Sequence, residues 1–231
     1  MSETIGVARE MAGSERLERA TLGSQIADVL RREIIFGHLK PGERLGQHQL
    51  CERFGTSRMP VRDALRQLNY EGFLAEDGGR HLVVVRMRRE DIRDTYEIEG
   101  MLHGLATRRV ATRGDAGELA ELRDFHEKML ARQDELPAMA ELNWRFHRRI
   151  NHFAASQKLV AALRSLALQI PRDYLVEFPA WAGRANDEHA GIVDAIAAGR
   201  ATEAESLMRE HVLAAGEYLI DFLQTSGVDL D

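Results

Sequence analysis

Residues 56–68, Thr56-Ser57-Arg58-Met59-Pro60-Val61-Arg62-Asp63-Ala64-Leu65-Arg66-Gln67-Leu68, constrain this chain more than any other stretch. Ser57 suits a helix N-cap, where its hydroxyl can accept from a free backbone N–H of the first turn. Pro60 is tolerated there because its missing N–H costs nothing. Val61, Ala64, Leu65 and Leu68 recur at helical spacing and are expected to face a core. Arg58, Arg62 and Arg66 recur every four residues as a neighbouring stripe. Such a helix suits the major groove of DNA, where arginine reads guanine edges and phosphates. A plain solvated arginine face is the alternative, and the flanks must decide.

Upstream, 22–36 reads as an amphipathic helix with Leu22, Ile26, Val29, Leu30 and Ile34 inward, ended by Gly37. Pro41-Gly42 makes a turn, and a short helix over 47–54 closes at Gly55. Two short helices joined through a glycine turn are a helix-turn-helix pattern. Beyond Gly72, Phe73-Leu74-Ala75 and Leu82-Val83-Val84-Val85 flank Asp77-Gly78-Gly79-Arg80, which predicts a β-hairpin with Arg80 and His81 at its tip. Three helices and a two-stranded wing make a winged helix.

This block resembles the GntR family of bacterial transcription regulators. The match lies in Leu39-x-Pro41-Gly42-x-Arg44-Leu45, in Ser57-Arg58-x-Pro60-Val61-Arg62-x-Ala64-Leu65-x-x-Leu68, and in Glu71-Gly72-Phe73. The resemblance implies DNA contact by Arg44, Ser57, Arg58, Arg62 and Arg66, and by Gly79, Arg80 and His81 at the wing.

The net charge of −6 looks wrong for a DNA binder until it is divided along the chain. Residues 21–90 hold twelve Lys/Arg against nine Asp/Glu, while residues 91–231 carry −8. An acidic half does not serve as a phosphate-binding surface, so DNA contact belongs to the N-terminal part. A single cysteine, Cys51, excludes a disulfide framework and a cysteine-rich zinc finger. No apolar run is long enough to span a bilayer. The first twenty residues are too charged for a signal peptide and read as a flexible tail, which makes the expected compartment the cytoplasm. The expected organisation is tail 1–20, winged helix 21–85, linker 86–90 and helical domain 91–231.

The C-terminal half shows helical periodicity and almost no strand signal. Helices are expected over 91–112, 115–133, 137–155, 157–176, 184–198 and 201–224, with Pro171 kinking the fourth and Phe178-Pro179-Ala180 as a break. This is an antiparallel bundle, so the fold class is mostly α. Polar side chains stand on its apolar stripes. Asn143 and His147 are four apart and share a helix face, beside Leu142, Phe146 and Ile150. His189 lies in line with Ile192, Val193 and Ile196, and His211 with Leu207, Ala214, Ala215 and Tyr218. Buried imidazoles are costly without partners. Either each has its own hydrogen bond, or the three converge on a divalent metal. His126 and His152 sit beside charged residues and are expected to be solvated.

Phe146-His147-Arg148, Asp187-Glu188-His189-Ala190-Gly191-Ile192-Val193 and Ala204-x-x-x-Met208-x-x-His211-Val212 resemble the FCD domain, the helical ligand-binding domain of the FadR branch of GntR regulators, in its shorter, vanillate-regulator-like form. Many FCD domains hold a metal with one aspartate and three histidines. That implies Asn143, His147, His189 and His211 as ligands of a divalent ion, zinc or nickel, with asparagine where aspartate is usual. Three neutral imidazoles and an amide would leave the double charge uncompensated and favour a carboxylate effector. Glu99 and His103 stand where the family tends to place an arginine and then a glutamate. Arg148, Arg164 and Arg172 are the possible substitutes, and the expected effector contacts are His103, Arg148, Arg172 and Glu99.

The chain is thus expected to be a one-component regulator, a repressor, that binds a palindromic operator as a homodimer and responds to a small effector. Two rivals follow from the histidines: a direct metal sensor, and a metal-dependent enzyme fused to a DNA-binding module, with Glu188 as its only evident general base.

Overall fold

A computed structural model describes residues 21–79, 81–167 and 179–230. The expected tail, Arg80, Pro171 and Arg172 lie outside the described residues. The N-terminal part contains α1 (Leu22–Ile35), α2 (Gln47–Phe54), α3 (Arg58–Tyr70), β1 (Leu74–Asp77) and β2 (His81–Val84). Thr21 caps α1 by accepting from the Ser24 N–H at 3.1 Å. Ser57 occupies the N-cap position of α3, but its side chain makes no capping hydrogen bond. The hydroxyl expected to cap is therefore left exposed at the helix entrance.

Ile26, Leu30 and Ile34 pack against Val61, Ala64, Leu65 and Leu68 to form the core of this part. Val29 and Leu22 are exposed, contrary to expectation. The inward stripe runs through residues 26, 27, 30, 31 and 34, and residue 29 falls about a sixth of a turn outside it. Arg31 occupies that stripe. It is 3% exposed and donates from Nε and Nη2 to Glu71 at 2.7–3.0 Å, which compensates the buried charge. The wing is antiparallel, pairing Leu74 with Val84 and Asp77 with His81. Gly78 and Gly79 take positive φ at its tip, which only glycine does cheaply.

The rest is helical among the described residues: α4 (Arg89–Arg113), α5 (Ala116–Leu130), α6 (Leu136–Phe153), α7 (Gln157–Ala167), α8 (Pro179–Ala197) and α9 (Ala201–Thr225). Asp91 accepts from the Arg88 N–H at 3.1 Å, so α4 starts inside the expected linker. Pro179 and Ala180, expected within a break, belong to α8 as far as that helix is described. The antiparallel pair α4–α9 forms the spine. Gly104 and Gly216 let the two helices touch: a Cβ on Gly216 would sit 2.7 Å from Tyr96 Cγ, and one on Gly104 2.9 Å from the Glu205 carbonyl oxygen. Phe146, Ile150, Ile192, Met208, Leu219 and Leu223 fill the core between the helices.

The two parts meet at one junction. Ile35, at the end of α1, joins the core of the helical part. Phe36 meets Phe222 edge-on, with ring centroids 5.9 Å apart. Beyond α9, Arg86 pairs with Asp229 and the Arg89 N–H donates to the Leu230 carbonyl at 3.1 Å. No described helix is long and apolar enough to cross a membrane.

Candidate functional site

Three helices bring three of the expected ligands together. His147 comes from α6, His189 from α8 and His211 from α9. His211 Nε2 lies 3.1 Å from His147 Nε2 and 3.2 Å from His189 Nε2. Ring nitrogens that each offer one lone pair or one proton cannot satisfy such a cluster by hydrogen bonds alone. His211 Nδ1 lies 2.7 Å from Glu188 Oε2. A carboxylate only accepts, so Nδ1 carries a proton, and Nε2 is the nitrogen of His211 left to bind an ion. That nitrogen offers one lone pair or one proton, yet two neighbouring Nε2 atoms approach it. Tetrahedral zinc with nitrogens at about 2.0–2.1 Å sets them about 3.3 Å apart, close to the spacings seen.

The surroundings disfavour charged imidazoles. Burial first, then repulsion from His211, pushes His147 and His189 well below the usual imidazole range. Neutral imidazole is the metal-ligating form. Their Nδ1 atoms are buried without a hydrogen-bond partner among the described residues, as is Asn143 Oδ1. Asn143 is 9% exposed and stands one turn before His147 on the same face of α6. The three imidazoles are close enough to hold a divalent ion, and Asn143 is the further expected donor.

Glu188 has the role that the sequence alone obscured. Burial raises its carboxyl, but hydrogen bonds from His211 and Arg184 outweigh that and hold it below the usual range. Arg184 Nε donates to its Oε1 at 2.6 Å. With both oxygens engaged it is a poor general base. Its charge also corrects the expectation of a dication with no negative group nearby.

Two more polar groups line the inward stripe of α4, with Ile92, Tyr96, Ala106 and Val110. The ring of His103 lies 5.3 Å from that of His147, and burial, then His211, pushes it down to about 4. Glu99, one turn earlier, is pushed up to about 7 by burial alone and has no hydrogen bond or ion pair among the described residues. Arg148 is exposed and stacks on Trp144 at 4.9 Å, so it does not fill the expected inward place; Arg164 is exposed too. His126 is half-buried against the Asn186 carbonyl at 3.0 Å, a departure from the expected solvated state, whereas His152 is exposed. Asn151 and Asn186, which carry no periodic signal, are buried polar groups with unpartnered amide atoms.

In the N-terminal part, Ser57, Arg58, Arg62 and Arg66 are exposed, as are Gly79 and His81 at the wing. Arg58, Arg62 and Arg66 have no ion pair among the described residues, unlike Arg31 and Arg53. Arg44 is bound to Asp77 at 2.8 Å across to the wing. The stripe on α3 is thus a row of guanidinium groups on the exposed face of the helix, without an ion pair among the described residues.

Fold and site together define a two-part regulatory protein: a winged helix joined to an all-helical domain with a histidine cluster at its centre. The family model for bacterial regulatory proteins of the gntR family matches residues 22–84, and that for the FCD domain matches residues 94–214. The chain belongs to the gntR family and carries an FCD domain. FCD domains of some family members bind metals. An uncharacterized HTH-type transcriptional regulator of Mycobacterium tuberculosis is 28% identical over 67% of this chain and 63% of its own length. The chain thus spans a little under two thirds of that relative. A probable D-xylose utilization operon transcriptional repressor of Paenarthrobacter nicotinovorans is 29% identical over 88% of this chain and 91% of its own. The Glc operon transcriptional activator of Escherichia coli is 27% identical over 88% and 91%. Among solved structures, E. coli McbR/YncC shares the fold, with TM-score 0.64, 22% identity, and coverage of 88% of this chain and 99% of that one. The matched domains and these relatives are those of transcriptional regulators, not enzymes.

Proposed function

We propose that this chain is a cytoplasmic one-component transcription regulator whose DNA affinity is set by a small effector anchored on a divalent metal. The convergence of three Nε2 atoms in the bundle core, with separations of 3.1 and 3.2 Å where measured to His211, carries the reading. His147, His189 and His211 hold zinc or nickel, with Asn143 as the fourth ligand. The metal supplies a Lewis-acidic anchor for a small carboxylate, and Glu99 and His103 face the bound molecule from α4. Arg58, Arg62 and Arg66, with Ser57, Gly79, Arg80 and His81, contact a palindromic operator, two recognition helices being supplied by a homodimer. Arg44 contacts phosphate at the wing's edge. Repression is the expected sign, as for the xylose-operon relative.

The test is operator affinity by fluorescence anisotropy on DNA from the chain's own promoter region. Arg62→Ala should weaken binding by about 1–3 kcal/mol. His189→Ala should leave affinity without effector within a few-fold and abolish the response to effector. Unchanged affinity in Arg62→Ala contradicts the DNA face. A response to zinc alone in the wild-type chain would make the metal the signal rather than the anchor.

A further inference from the structure

Glu188 is adjacent in sequence to His189 yet serves His211, which lies on a different helix. Its Oε2 accepts from His211 Nδ1 at 2.7 Å and its Oε1 accepts from Arg184 Nε at 2.6 Å. Arg184 in turn lies over the Tyr218 ring, one helix away on α9, at 5.5 Å. The His211 side chain is 4% exposed and that of Glu188 28%, so the carboxylate sits at the rim and the imidazole inside.

We infer that Glu188 is the positioning residue of the metal centre, fixing His211 with Nε2 as its ligating atom and returning the negative charge that asparagine at position 143 withholds. The inference rests on the metal reading above. Three observations support it. The carboxylate dictates the tautomer: with a proton held on Nδ1, only Nε2 can bind an ion, and Nε2 is the atom aimed at the other two histidines. Its place is that of the acceptor that metal-bound histidines ordinarily find, one that raises the basicity of the ligand and fixes its ring. Third, neither Asn143 nor any of the three imidazoles carries a negative charge, so Glu188 is the anionic group in direct contact with the cluster among the described residues. A carboxylate one imidazole away attracts the ion without occupying a coordination position. That position stays open for an effector oxygen, as a directly ligating carboxylate would not leave it. The Arg184–Tyr218 contact ties the same carboxylate to α9, so the group that holds His211 is itself held from both helices.

The test uses the full-length chain stripped with chelator, then titrated with zinc against a competing chelator and with cobalt by visible absorption. Glu188→Ala should weaken zinc binding about 10–100-fold and change the cobalt ligand-field bands. Glu188→Gln retains an acceptor without the charge, and should fall between Glu188→Ala and wild type in affinity with near-wild-type cobalt bands. Glu188 is partly exposed, so all variants should retain wild-type helicity, and circular dichroism checks that the loss is one of affinity. Zinc affinity in Glu188→Ala within two-fold of wild type overturns the inference and leaves the metal reading standing. A stripped wild-type chain that takes up no zinc overturns both.

Discussion

Glu99 is a carboxyl buried without a partner among the described residues, and it sets a pH dependence of its own. Burial lifts it from 4.5 to about 7, so between those values the folded chain holds a proton that the unfolded chain has released. Its contribution is present in full below pH 4.5 and is lost as pH rises through about 7. Glu99→Gln keeps the shape of the protonated group and cannot ionise. Its stability relative to the wild type should be nearly level at pH 5 and rise to an advantage of about 3 kcal/mol by pH 8, by urea unfolding of metal-stripped protein. An advantage that shrinks as pH rises would mean Glu99 finds a cation in the folded chain. The histidines were legible in the sequence because each fell on an apolar stripe of a periodic helix. The task of Glu188 was not, because it depends on which helix faces α8. Arg148 misled for the opposite reason: proximity to His147 in sequence says nothing of the side on which a helical residue emerges, and Trp144 beneath it offers a cation–π seat.

At the scale of elements, the periodic segments emerged where the spacing of apolar residues set them, and an end moved where a cap decided. Asp91 draws α4 back to Arg89. The α4–α9 seam left no trace in the pattern, since glycines inside helices read as weak points until the partner helix is known. An alanine at 104 would place its Cβ 2.9 Å from the backbone oxygen of Glu205, which cannot rotate away. Overpacking should cost about 1–3 kcal/mol, against roughly 1 kcal/mol returned by better helix propensity. Gly104→Ala is therefore expected to lower the urea midpoint, and Gly114→Ala, with positive φ but nothing within 4 Å, to be destabilised by strain alone without separating α4 from α9. A more stable Gly104→Ala chain would show that the helices lie farther apart than described.

Over the whole molecule, charge divides with the two parts: α3 carries a row of arginines without an ion pair among the described residues, and an acidic helical domain lies beyond it. The two parts are joined by the contacts of Ile35, Phe36, Phe222 and the Arg86–Asp229 pair. The edge-on ring pair contributes about 1 kcal/mol beyond its buried area. Phe222→Ala should therefore loosen the coupling, so that calorimetry resolves two melting transitions where the wild type shows one. A single, uniformly shifted transition would indicate that the junction does not join the two parts. This contact was invisible in the sequence because the residues are far apart along the chain and lie in different domains.

The metal centre is the claim on which effector binding depends, and X-ray absorption of the zinc-loaded, full-length chain examines it directly. Three imidazole nitrogens at about 2.0–2.1 Å, completed by oxygen neighbours, are expected. Fewer than three imidazole shells, or no zinc retained after dialysis at micromolar protein, would contradict it and leave His147, His189 and His211 as core side chains.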